Sequence, residues 1–154
     1  MTIDVRGILS EIQGHAARSG LFSAVLGHEP KDPPSTAGGP VACVYLRSLN
    51  PTTAFAGLNV TSVVLTATVR IHVSMLQEPQ DDIDVIIVEA AEAFMQTVTG
   101  DFTLNDEATN VDLLGMAGEG MGCEFGYATI GSTMFRIADV TLPILLADQW
   151  AQAR

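Results

Sequence analysis

The chain has 154 residues, of which 47% are hydrophobic and 16% charged, and its formal net charge at pH 7 is −11. This length fits one domain, 1–154, with a core large enough to need no disulfide or metal staple. Its seven basic residues form no cluster, which argues against nucleic-acid binding, and the same negative charge argues against an anionic membrane surface.

The charged fraction is below the ~25% usual for soluble domains, so we expect self-association to cover part of the surface. The N-terminal segment 1–14 mixes charged and apolar residues, unlike a signal peptide, and no run approaches the ~20 apolar residues of a membrane span. We therefore expect synthesis in a reducing cytoplasm, where Cys43 and Cys123 are predicted to be buried free thiols.

The first predicted element is an amphipathic helix over residues 3–19, with Thr2 as its N-cap. Gly7 and Gly14 lie on the opposite face of this helix. Either they have no functional role, or they allow another subunit to approach closely. An apolar run at 21–26 predicts a brief strand or turn. The loop from Gly27 to Pro40 contains four prolines, which exclude regular structure. We interpret it as a mobile surface loop or a subunit-contacting arm.

Two strands and a helix follow. Residues 41–46 predict a strand, and residues 62–75 alternate so clearly that a long, half-buried strand is expected, with Thr68, Arg70 and His72 on its polar side. After Pro79, an acidic run opens a helix whose apolar face recurs every 3.6 residues, and Gly100 suits a left-handed cap.

Three more strands are predicted, at 111–116, 123–130 and 134–146, the last two joined by a type II′ turn at Gly131-Ser132. Pro143 cannot donate to a sheet, so we expect an edge or a strand end there. The predicted fold is α+β, with a mostly antiparallel or mixed sheet of about five strands, two helices packed on one face, and long loops.

The sequence contains no motif typical of a metal site or a catalytic nucleophile. No histidine or cysteine has a second ligand at metal-binding spacing, and no nucleophile motif is present. Gly118, Gly120 and Gly122 follow a GxGxG spacing with a strand after them, which favours a loop between strands over a phosphate site. We predict no catalytic residue, no metal ligand and no cofactor.

Arg70 and Arg136 each interrupt an alternating strand in a chain with few cations. Each is either a solvent-facing arginine or half of an inter-subunit ion pair with an acidic residue such as Glu78, Asp81 or Asp139. They are candidate contacts with other subunits or partners. An exposed ion pair of this kind would fix the register of the subunit contact more than it would stabilise that contact.

A series of short motifs follows one order along nearly the whole chain. It comprises Gly20-Leu21-Phe22 with Val25, Gly27-His28-Glu29-Pro30, Asn50-Pro51, Gly57-Leu58, Val69-Arg70-Ile71, Pro79, Asp82-Ile83-Asp84, Ala90-Ala91, Gly100-Asp101-Phe102, Val111-Asp112-Leu113-Leu114, Gly126-Tyr127, Phe135-Arg136-Ile137 and Asp148-Gln149-Trp150. In this order the chain resembles the tail terminator, or tail completion, proteins of long flexible-tailed bacteriophages (siphophages), particularly those of actinobacterial hosts.

The resemblance implies a non-enzymatic virion protein that forms a homohexameric ring on the head-proximal end of the tail. The ring would terminate polymerisation of the major tail tube protein and offer a joining surface to the head-tail connector. The resemblance identifies no catalytic or binding residue in this chain. His28, Glu29 and Pro30 are candidate contacts with other subunits or partners only. The alternatives are a head completion component of the connector, or a small-molecule-binding α+β domain.

Overall fold

The computed structural model describes residues 2–53 and 59–152, which fold into two helices and a six-stranded mixed sheet that curls. The α+β prediction is confirmed. In chain order the elements are α1 (Val5–Arg18), β1 (Ala24–Leu26), β2 (Val41–Thr52), β3 (Val60–Ser74), α2 (Ile83–Thr99), β4 (Asn110–Val111), β5 (Gly122–Ile130) and β6 (Thr133–Ala151). A short 3-10 turn, Gln80–Asp82, leads into α2.

The sheet has the order β1-β2-β3-β6, and both β4 and β5 pair with the far side of β6. All pairings are antiparallel except that of β1 with β2. The sheet has six strands where about five were predicted, because two of the six are very short: β1 has three residues and β4 has two. The long strands β3 and β6 therefore form the centre of the domain.

One face of the sheet, called the inner face below, packs against both helices. Its core is apolar, and the side chains of Ile12 on α1, Phe94 on α2, Val69 on β3 and Val140 on β6 are fully buried in it. The periodicity of residues 83–98 is confirmed, because Ile83, Ile87, Ala90, Phe94 and Val98 are all buried. None of the helices in the described part of the chain could span a bilayer.

The strand over 62–75 was expected to be half-buried, with its polar, outer side exposed, and this is wrong for most of that side of β3. Thr66, Thr68 and His72 are buried, with His72 at 0% exposure. The loop of residues 27–40 lies along this side and reaches the β5–β6 turn, where a Cβ on Gly131 would be 3.5 Å from Cγ of Pro33. Alternation identified the two faces of β3 but could not show which side chains of the second face are buried.

The predicted helix ends were also partly wrong. Asp4 is the N-cap of α1, and its carboxylate accepts a hydrogen bond from the Gly7 amide at 3.0 Å. Gly100 closes α2 with φ −74°, so it is not in the left-handed conformation. A Cβ on Gly7 would meet side-chain carboxylate oxygens of Asp4 and Glu107 of the same chain, the latter at 2.6 Å, so a larger residue there would displace these two side chains.

Pro143 lies inside β6, not at its end, which corrects the prediction of an edge. Its carbonyl accepts a hydrogen bond from the Asp112 amide at 2.8 Å. The nitrogen of a strand residue points to the same side as its carbonyl, so the missing N–H faces the junction where β5 has ended and β4 begins. No donor is needed there, and the proline is tolerated in a central strand.

The strand predicted at 111–116 is reduced to Asn110–Val111. From Asp112 onward the chain forms a loop, because the Asp112 side chain binds the backbone ahead of it. At the next turn, Gly131 has φ +62° and Ser132 is not in the positive-φ region, as a type II′ hairpin requires. The strand predicted at 41–46 continues to Thr52, and β3 begins at Val60. The motif Gly57-Leu58 lies outside the described residues.

Candidate functional site

Arg70 and Asp139 face each other across β3 and β6 on the outer face of the sheet. Nε of Arg70 donates to Oδ1 of Asp139 at 2.7 Å, and Nη2 donates to Oδ2 at 3.0 Å. This bidentate hydrogen bond raises the pKa of Arg70, so the guanidinium stays charged. Asp139, one of the acidic neighbours expected in another subunit, thus pairs with Arg70 inside one chain.

A polar cleft of about 370 Å³ opens above this pair. Tyr45 borders it, and burial raises the pKa of that phenol. At the rim, Nη2 of Arg47 donates to Oε2 of Glu119 at 2.8 Å. The cationic groups of the cleft are thus each held by a carboxylate of the same chain.

A buried pair, Cys43 and His72, lies beside the cleft. Sγ of Cys43 is 3.9 Å from Nδ1 of His72, and the His72 ring packs edge-on against Phe135 at 5.5 Å between centroids. Burial lowers the pKa of His72 and raises that of Cys43 to about 11. Both groups are therefore neutral near pH 7, which is not the state of an activated thiolate–imidazolium pair.

The loop residues His28, Glu29 and Pro30 lie near this face. His28 and Glu29 are exposed and Pro30 is partly buried. The charge of Glu29 acts on both Arg70 and Tyr45, which places its carboxylate close to the cleft. The structure thus brings Glu29 and Arg70 into one region, as two of the candidate contacts named from the sequence.

Arg136 lies on the inner face of the sheet, three residues before Asp139 on β6. Its Nε donates to Oδ1 of Asp84 in the first turn of α2 at 2.9 Å, and its Nη1 donates to the Gly126 carbonyl at 3.0 Å. The guanidinium carbon also lies 4.6 Å from the centroid of the Tyr127 ring. Arg136 therefore joins β5, β6 and α2 within one chain.

A third cluster combines Glu11, His15 and Asp101, whose nearest ligand atoms lie within 4.8 Å of one another. Nε2 of His15 is 2.9 Å from Oδ2 of Asp101, which also accepts from the Asn105 amide. The Asn105 amide, and then His15, lower the pKa of Asp101. Nδ1 of the buried His15 has no partner in the described chain. Metal-bound histidines usually have that second nitrogen hydrogen-bonded, so this geometry suits a contact between α1 and the end of α2 better.

The loop 112–121, which we call the Leu114 loop, begins earlier than predicted, because a loop was expected only around Gly118, Gly120 and Gly122 and a strand was expected at 111–116. The Asp112 carboxylate, 4% exposed, accepts hydrogen bonds from the amides of Gly115, Met116 and Ala117 at 3.0, 2.8 and 2.8 Å. Backbone amides that converge in this way form an anion site, and here the anion is the chain's own carboxylate. An aspartate three residues before a glycine is the signal that could have indicated this turn.

The comparisons with known proteins leave the function to be argued from the chain itself. No protein family matches the sequence, and no curated protein is significantly similar to it.

Proposed function

We propose that this protein is a tail terminator of a long flexible-tailed bacteriophage. It assembles in the host cytoplasm as a homohexameric ring on the head-proximal end of the tail tube and stays in the virion. The ring covers the growing end of the tube and presents a different surface to the head-tail connector. Its action is steric, so it needs no catalytic residue, cofactor or membrane. The ordered motifs that it shares with such proteins are the sequence basis of this proposal.

The structural observation that carries the proposal is the free edge of β5. Among the described residues, β5 pairs with β6 alone, so one side of this nine-residue strand offers unpaired backbone groups. Phe125 and Tyr127 on it are 44% and 62% exposed. Monomeric proteins usually protect such edges with charges, bulges or covering segments. A neighbouring subunit would cover this one.

Neither of the two thiols is an activated nucleophile. Burial raises the pKa values of Cys43 and Cys123 to about 11, so both remain protonated near neutral pH. Cys43 pairs across from Arg70 on the outer face, whereas Cys123 pairs across from Val140 of the inner face. The two sulfurs therefore lie on opposite sides of the sheet, as free cysteines.

Mass measurement in solution, combined with negative-stain images, tests the proposal. Purified protein should form rings of uniform diameter, and these should bind the ends of purified tail tubes and not their sides. A phage that lacks the gene should accumulate over-long tails. Normal-length tails beside leaking heads would instead identify a connector component. A stable monomer without affinity for tubes would overturn the proposal.

The polar cleft favours a second candidate function, the binding of a small polar molecule. Its volume of about 370 Å³ lies within the range of ligand pockets. The bidentate pairing of Arg70 with Asp139 opposes this function, because the best donors of the cleft are already used. Screening of polar metabolites by thermal shift tests it, with Tyr45→Phe as the variant that should lose any response.

A further inference from the structure

Two apolar side chains of the Leu114 loop are almost fully exposed to solvent. Leu114 is 92% exposed and Met116 is 91% exposed, more than any other large apolar side chain in the described chain. Single exposed apolar residues are ordinary, but two of them at the tip of one loop form a patch. The patch therefore needs an explanation beyond chance exposure.

The loop that carries this patch is held in one conformation. Its amides bind the Asp112 carboxylate, and the Met121 amide closes it onto the Asp112 carbonyl at 3.0 Å. Gly115 has φ +86°, and a Cβ there would lie 2.8 Å from the Gly118 carbonyl oxygen. A surface fixed in this way loses little conformational entropy when it is bound.

An apolar groove of about 460 Å³ lies between α2 and β5 on the inner-face side. We call it the α2–β5 groove; its lining includes Val88, Ala91, Met95, Met121, Cys123 and Phe125. Val88 and Phe125 are 45% and 44% exposed. Methionine and aromatic side chains adapt well to an inserted aliphatic or thioether group.

Met121, the last residue of the Leu114 loop, lines the groove of its own chain, but Leu114 and Met116 do not fill that groove, since both remain exposed. Nor does its charge oppose docking: Glu119, the one charged residue between 113 and 121, is already paired with Arg47. One chain thus carries both an unoccupied apolar groove and a rigid apolar projection that fits its chemistry.

We infer that Leu114 and Met116 of one copy insert into the α2–β5 groove of a second copy of this chain. The two patches differ, so the contact can repeat head to tail from one copy to the next, the heterologous arrangement from which closed rings are built. This inference rests on the proposed ring and specifies the residues of its subunit contact. It also covers β5, because Cys123 and Phe125 belong to both the groove and the free edge.

Mutual complementation tests the contact. The loop variant is Leu114→Asp with Met116→Asp, and the groove variant is Val88→Asp with Phe125→Thr; all four positions are exposed, so folding should be retained. Sedimentation should show each variant weakened in self-association by about 100-fold or more. The matched control is Leu76→Asp, at an 87% exposed leucine outside both patches, which should assemble like the wild type.

An equimolar mixture of the two variants should form dimers and nothing larger, since one intact loop then meets one intact groove. A mixture that stays monomeric would overturn the inference. So would loop variants that assemble normally, and in that case the proposed ring would survive with a different contact. A wild-type protein that stays monomeric at all concentrations would overturn both the inferred contact and the proposed ring.

The native Cys123 offers an independent positive test. Met116→Cys would place a thiol at the tip of the loop, and a mild oxidant should then link it to Cys123 in the groove of the next copy. Covalent oligomers should appear on a non-reducing gel and vanish with an added Cys123→Ala. Leu76→Cys is the control, and Cys43, at 0% exposure, should not compete. Equal cross-linking by the control would contradict the contact.

Discussion

On the inner face of the sheet, apolar side chains from both helices and three long strands exclude water together, and Phe94 is fully buried among them. On the outer face, polar side chains lie in pairs instead: Arg70 with Asp139, which are partly buried, and Cys43 with His72, which are buried. The inner face is stabilised by burial, which is non-directional, whereas the outer face depends on specific partners. Substitutions should therefore have different consequences on the two sides.

The largest expected effect is on the inner face. Phe94→Ala should lower the free energy of unfolding by about 3–5 kcal/mol, because it removes a fully buried ring and leaves a cavity. Urea denaturation followed by circular dichroism measures it. Phe102→Ala is the control, since Phe102 is 50% exposed and its loss should cost far less.

On the outer face, Asp139→Ala should cost about 1–3 kcal/mol, because it leaves the partly buried Arg70 without its two hydrogen bonds. The double variant Arg70→Met/Asp139→Leu should recover most of that loss, since no charge is left unpaired. If the double variant is as unstable as the single one, the outer face depends on shape rather than on charge pairing.

His72 should make stability depend on pH. Its pKa is lowered in the folded state by burial, so the unfolded chain binds a proton more readily. Stability should hold above the ordinary pKa of about 6.5 and decline as pH falls towards the folded value, by at most about 1.4 kcal/mol per pH unit. His72→Leu should flatten urea midpoints measured between pH 7 and 5. An unchanged slope would assign the acid sensitivity to other groups.

The smallest effect is expected at Arg136. Asp84 is 69% exposed, so Asp84→Ala should cost no more than about 0.5–1 kcal/mol, as is typical of surface ion pairs. Arg136→Ala should cost more, because it also removes the stacking on Tyr127 and the bond to the Gly126 carbonyl. Thermal melts at low and high salt separate the ionic part, which screening should abolish.

The sequence predicts those parts of the fold that follow from the regular spacing of apolar residues. The two-residue alternation of 62–75 and the 3.6-residue repeat of 83–98 both correspond to observed elements. Features that depend on a distant partner were not predictable in the same way. Nothing local shows that His72 is covered, or that Pro143 meets a junction between two neighbouring strands.

The candidate contacts show the same limit. Arg70 and Arg136 stand out by rarity, but only strand register reveals that Asp139 lies opposite Arg70. The first half of the Leu114 loop was missed because Val111–Met116 is apolar enough to predict a strand. The Asp112 carboxylate, which binds three amides, prevents that strand from continuing. Whether Arg70, Arg136, His28, Glu29 or Pro30 contacts another subunit stays a prediction.

The 19-residue strand β6 has a consequence for how the molecule opens. It is bonded to β3 on one side, and to β5 and then β4 on the other. Each of its central amides points to one of these flanking strands and exchanges only when that strand separates from β6, so in native-state hydrogen exchange these amides should be among the slowest. The amides on the open side of β5 should exchange early in the isolated chain and become protected once copies associate.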